Sequence, residues 1–178
     1  MSRRRPRARC WYCPIQLAPG PTRDPLITEV PVRQWMLSLP YRVRHLCAYD
    51  ADACARVRRI LVRAVSGYYE RRARRLGKPR PRAGAVAFVQ RFDSALRLNV
   101  HFHVLWTDGV FAYAPGRVEF CEHGELSDAD VGRLVRAIRD RVQRALRGLG
   151  KLPAAGDGLG FGNGWCRRWR RRGKGAMG

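Results

Sequence analysis

His101 and His103 stand one residue apart in "LNVHFHVLWTDGVF", residues 98–111, a run otherwise dominated by apolar side chains. Side chains of a β-strand alternate between faces, so positions i and i+2 point the same way. The spacing therefore brings two imidazoles to one small volume. Two neutral imidazoles can hold a divalent cation, but two ligands are seldom a whole site. With an amide and open positions beside them, the set suits Mg²⁺ or Mn²⁺, whereas zinc favours more His or Cys. Such a cation polarises a phosphodiester and neutralises charge on a departing oxygen. The nucleophile must come from elsewhere, and tyrosine is one option that leaves a covalent phosphotyrosine.

A third donor is expected from a neighbouring strand. Gln90 is the only uncharged polar residue in "AVAFVQRF", residues 85–92, and lies 11 positions before His101. Directly opposed residues of an antiparallel pair share a face, so Gln90 joins the histidines only opposite an odd-numbered residue such as 99, 101 or 103. That condition calls for an even connection, two or four residues within 93–97.

The elements that must position these residues follow from pattern. "VRQWMLSLP", 32–40, reads as a strand stopped by Pro40. Asp50 reads as the N-cap of a long helix whose stripe is Cys54, Val57, Leu61, Ala64, Val65 and Tyr68, ending in "RRARRLG" with Gly77 as the stop. Strands follow at 85–92 and about 98–106, joined by "DSALR". "GVFAYAPGRVEF" reads as a hairpin turning at Pro115-Gly116. Ser127 with Asp130 resembles a capping box for a second helix, with Val131, Leu134, Val135, Ile138, Val142 and Leu146 as its stripe. The segment 151–178 is rich in Gly and Arg without a period and reads as a disordered tail. The order strand, helix, strand, strand, helix is a split βαβ layout without its last strand. The expected class is α+β: a ferredoxin-like antiparallel sheet, complete order fourth-first-third-second, with the histidine strand central. The missing fourth strand would leave the edge of 32–38 unpaired.

The chain has 178 residues with 46% apolar side chains, enough for one core, and a formal charge of +22. Its pI is about 11.4. A polyanion, nucleic acid first, is the expected partner. The helix arginines Arg71, Arg72, Arg74 and Arg75 are candidate DNA contacts, to phosphate rather than bases. No stretch nears the roughly 18–20 apolar residues of a membrane span. The basic lead, residues 1–29, lacks the apolar core of a signal peptide, so a cytoplasmic location is expected. "CWYC", 10–13, has the spacing of half a zinc knuckle, without a second pair at finger spacing.

From Val30 to Leu149 the chain resembles the two-tyrosine transposases of rolling-circle insertion sequences, in the HUH endonuclease superfamily. The resemblance rests on "VPVRQWMLSLPYRVRHLCAYD", "GYYERRARRLG", "VQRFDSALRLNVHFHVLWTDGVF" and the Arg-rich second helix. It implies a catalytic domain over 30–150 that binds single-stranded or hairpin DNA at element ends. His101 and His103 would hold the cation with Gln90 as third ligand, and tyrosines on a later helix would nick the strand and keep its 5′ end.

The sequence departs from that pattern. The only tyrosine after His103 is Tyr113, in the predicted hairpin, and Tyr68 and Tyr69 precede the motif. No nucleophilic tyrosine stands at the family position, so a chain inactive on its own is expected. Both ends, "MSRRRPRARCWYC" and "WCRRWRRRGKGAMG", read like GC-rich DNA translated out of frame, which suggests a truncated transposase. Two other functions compete: a basic module that binds nucleic acid without cutting it, and an unrelated metal hydrolase using the histidines with Asp108.

Overall fold

The computed structural model describes residues 30–153 and the backbone of residues 167–172. The basic lead with "CWYC" and most of the Gly/Arg-rich tail lie outside the described residues. Strand β1 (Val32–Ser38) is followed by helices α1 (Tyr41–Tyr49) and α2 (Ala51–Arg75). Next come strands β2 (Ala85–Phe92) and β3 (Leu98–Thr107), the hairpin β4 (Gly109–Ala114) and β5 (Arg117–Glu122), helix α3 (Asp128–Gly148) and strand β6 (Arg167–Arg172). The class is α+β. A four-stranded sheet runs β2-β3-β1-β6, every pair antiparallel, and β4-β5 forms a separate two-stranded sheet.

One expectation is overturned here. The sheet does not lack its last strand: β6 lies along the edge of β1, pairing Val32 with Arg172 through Leu37 with Arg167. Its sequence, "RRWRRR", has no apolar alternation and so carries no strand signal. Pairing at an edge needs only backbone N–H and C=O groups, and charged residues are ordinary on an edge strand. The segment 151–178 is therefore not wholly without structure.

Both long helices start where their caps dictate. Asp50 accepts from the Ala53 N–H at 2.9 Å, and Ser127 Oγ accepts from the Asp130 N–H at 3.2 Å while donating to the Asp130 carboxylate at 2.7 Å. Helix α2 ends beside Gly77, whose φ of +73° suits glycine. Its core stripe is Val57, Leu61, Ala64, Val65 and Tyr69 rather than Tyr68, because Tyr69 continues the i+4 step from Val65. Helix α1 is an element that the sequence pattern did not announce. Pro40 ends the strand and stands at the N-cap position of α1, a place where its missing N–H costs nothing.

The core lies between one face of the sheet and the helices. Val100, Phe102, Val104 and Trp106 of β3 are fully buried there with Trp35 and Leu37 of β1, Leu61 and Val65 of α2, and Ile138, Val142 and Leu146 of α3. Even-numbered residues of β3 thus face the helices, and odd-numbered residues face the other way.

Candidate functional site

On that other face, register assembles the site. His101 stands between Gln90 of β2 and Ser38 of β1, and His103 between Phe88 and Met36. Gln90 reaches this level by a route different from the one parity suggested. The connection 93–97 is five residues long, an odd number, and an irregularity between Gln90 and Phe92 absorbs the difference. One extra residue on one strand is a β-bulge, and it resets the pairing. Asp93 holds the connection in shape, accepting from the N–H groups of Ala95 and Arg97 at 2.9 and 3.1 Å.

The imidazole rings are 4.9 Å apart between centroids, and both residues are buried. His101 Nδ1 lies 2.5 Å from the Asn99 carbonyl oxygen. A carbonyl only accepts, so Nδ1 carries the proton and Nε2 of the neutral ring keeps its lone pair. His103 Nδ1 meets the side-chain amide of Gln34 at 3.0 Å, and its Nε2 is a buried atom without a hydrogen-bond partner. An amide turned end for end presents oxygen instead of nitrogen. In that orientation Nδ1–H donates to Gln34 and the Nε2 lone pair is freed, the usual way an outer residue fixes a ligating histidine. Burial, then the nearby His101, lowers the His103 pKa to about 4, so its ring is neutral at pH 7. Gln34 was not among the expected site residues. Its signal was its place as an uncharged polar residue of 32–38, alternating with Arg33, Trp35 and Leu37.

Among the described residues no group of three or more His, Cys, Asp or Glu side chains could hold a metal. A cation at the pair would draw its further ligands from Gln90, Ser38, backbone or water. The orphaned Nε2 of His103 and the free lone pair of His101 fit that role.

Asp108 does not belong to this site. It follows β3 at an even position and is buried on the helix side, where its oxygens accept from Arg33 Nε and Nη2 at 2.8 and 2.7 Å. Tyr69 donates its hydroxyl toward the same carboxylate at 3.4 Å. His123 packs against the rings of Tyr68 and Tyr69, with centroids 5.2 and 4.6 Å away. A turn residue ahead of Gly109 is thus the anchor of a buried ion pair, and the hydrolase reading that joined it to the histidines falls. The ion pair was invisible in sequence because its members lie 75 positions apart.

Arg71, Arg72, Arg74 and Arg75 are exposed at the C-terminal end of α2. Cations there offset the helix dipole, and Arg74 pairs with Glu70 at 3.3 Å. Tyr113 lies on the hairpin and is exposed rather than packed. Among the described residues no tyrosine shares the histidine face. No helix among the described residues is long and apolar enough to cross a membrane.

A family model described as "Putative transposase" matches residues 84–156. The matched stretch takes in β2, the histidine strand, the hairpin and α3. It supports a transposase and leaves the chemical type open. No curated protein and no solved structure matches the chain.

Proposed function

We propose that this chain is a transposase domain of the two-tyrosine, rolling-circle HUH type. Its sheet, with strands in the order β2-β3-β1-β6, reads as ferredoxin-like once the β4-β5 hairpin is set aside as an insertion. In this reading the chain binds single-stranded or hairpin DNA at element ends, and His101, His103 and Gln90 hold a divalent cation, Mg²⁺ or Mn²⁺. When bound, the cation supplies charge neutralisation at a phosphodiester. The chain's own residues do the positioning. Asn99 and Gln34 orient the two rings, Phe88 and Met36 wall His103, and the buried floor of β3 keeps the strand rigid. The observation that carries the reading is the register that puts Gln90 opposite His101 on the face away from the helices.

The test is a calorimetric titration with Mn²⁺ beside a DNA-binding assay. The variant His101→Ala/His103→Ala should lose Mn²⁺ binding and keep most of its affinity for DNA. Unchanged Mn²⁺ binding in that variant would sink the metal assignment. Loss of DNA binding with the fold intact would mean the histidines contact nucleic acid directly.

A second reading, a basic module that binds nucleic acid without cutting it, is favoured by the absence of a tyrosine from the histidine face among the described residues. It predicts no nick in a labelled single strand with Mn²⁺. A protein–DNA adduct stable in detergent would overturn it.

A further inference from the structure

The histidine face accounts for few of the chain's arginines. On the helical layer, α2 and α3 enclose a cleft of about 500 Å³ between Arg56, Arg59 and Arg63 on one side and Arg141 and Arg144 on the other. Ile60 and Ala145 form part of its lining. All five arginines are exposed.

Several other surface arginines of this chain find carboxylates, among them Arg74 with Glu70, Arg97 with Asp93, Arg133 with Asp130 and Arg139 with Asp140, while others, such as Arg71 and Arg75, stand singly on the surface. None of the five cleft arginines has an ion-pair partner among the described residues. The nearest acid in sequence on α3, Asp140, is engaged by Arg139 at 2.9 Å. Two of the five are held in place by their own helices: Arg59 Nε donates to the Ala55 carbonyl at 3.4 Å and Arg144 Nε to the Asp140 carbonyl at 3.3 Å. That anchoring leaves the terminal guanidinium nitrogens to a ligand at reduced entropic cost.

Five unpaired guanidinium groups over a partly apolar lining make a site for a polyanion. Its dimensions suit a nucleic-acid strand. Arg56 to Arg63 spans seven residues, a rise of about 10.5 Å. One strand of B-form duplex passes a phosphate every 3.4 Å or so along its axis, so that row covers about three phosphates. Guanidinium forks fit phosphate oxygens in pairs, which a row of ammonium groups would not do.

We propose that the α2–α3 cleft is a phosphate-backbone site for DNA, separate from the histidine face, so that the chain grips its substrate at two places. This rests on the reading of the chain as a DNA-binding transposase domain. It moves the main backbone contact from the C-terminal turn of α2 to its middle.

The test compares salt dependence of DNA binding, by fluorescence anisotropy, in three full-length proteins. One is unaltered, one carries Arg59→Gln, Arg63→Gln and Arg144→Gln, and one carries Arg58→Gln, Arg97→Gln and Arg117→Gln as an equal loss of charge elsewhere. For the cleft variant the slope of log K against log salt should be shallower by about 2.7 on duplex, or about 2.1 on a single strand. Running the assay on a duplex and on a single strand of the same sequence shows which form engages the cleft. The control variant should keep a slope close to that of the unaltered chain. In the unaltered chain, DNA should also shield Arg59, Arg63 and Arg144 from phenylglyoxal, read by mass spectrometry, a measurement that needs no variant to fold. Steep DNA binding with equal slopes in both variants and no shielding would overturn the cleft and leave the DNA reading intact. Absence of salt-dependent DNA binding by the unaltered chain would overturn both. A cleft variant that loses polyglutamate binding but keeps its DNA slope would assign the cleft to an acidic protein and overturn the proposal.

Discussion

The two faces of β3 use polar residues in opposite ways. On the helix side, Arg33 and Asp108 are a buried pair with two hydrogen bonds between them, and Tyr69 adds a third contact. On the open side, His101 and His103 are buried as well, yet His103 Nε2 has no partner. The first group ties β1 to the end of β3, and Arg33 Nη2 donates besides to the Gly124 carbonyl at 3.0 Å. The second pair leaves a ring nitrogen over, the kind of group that the proposed reading assigns to a cation. An orphaned atom is not by itself the distinction: on the helix side His123 leaves both ring nitrogens without a hydrogen-bond partner, packed against the Tyr68 and Tyr69 rings. What sets the open face apart is two imidazoles 4.9 Å apart with Gln90 opposite one and Gln34 bonded to the other.

Substitutions should separate the two faces by size of effect. Asp108→Ala strands the Arg33 charge in the core and should cost about 3–5 kcal/mol in a urea melt. Replacing both partners, Arg33→Met with Asp108→Leu, should recover most of that loss; failure to recover would mean that the pair does more than neutralise itself.

His123 gives the next largest effect, through pH. Burial, then the charge of Arg72, holds its pKa below the ordinary value. The folded chain thus binds that proton less well than the unfolded chain, so stability is full above about pH 6.5 and declines as pH falls below it. The contribution at pH 5 is at most about 2 kcal/mol. His123→Phe should lessen the fall in melting temperature between pH 7.5 and 5, leaving the share that His103, with its own lowered pKa, contributes, and an equal slope would exclude the effect.

Ser127→Ala removes the cap of α3 and should cost about 1 kcal/mol by the same melt. On the open face, His103→Leu should change stability by less than about 1 kcal/mol in either direction, because the loss of the bond to half-buried Gln34 is offset by removal of a buried nitrogen that lacks a partner. A loss as large as that of Asp108→Ala would show that the histidines are structural and erase the contrast between the faces.

How much of this was legible beforehand follows the range of the forces involved. Local signals read well: the caps Asp50 and Ser127, the strands at 85–92 and 98–107, and the turn at Pro115-Gly116, where Gly116 takes φ of +69°. The histidine pair was legible because strand alternation is a local rule. Helix α1 was missed because nine residues with only Val43 and Cys47 buried make too short a stripe. Strand β6 was missed because "RRWRRR" carries no apolar alternation, and pairing at an edge needs none. Gln34 and the Arg33–Asp108 pair depend on register between distant strands, which no local pattern encodes.

The irregularity between Gln90 and Phe92 works as a ruler. Two steps of β2, from Gln90 to Phe92, stand against three of β3, from Leu98 to His101, so the extra residue lies on β3. Unbroken pairing from Phe92 opposite Leu98 would run on as Gln90 opposite Val100 and Val89 opposite His101. That slip of one position would turn Gln90 to the helix side. An isopropyl group would then stand level with the first imidazole, where a carboxamide stands now.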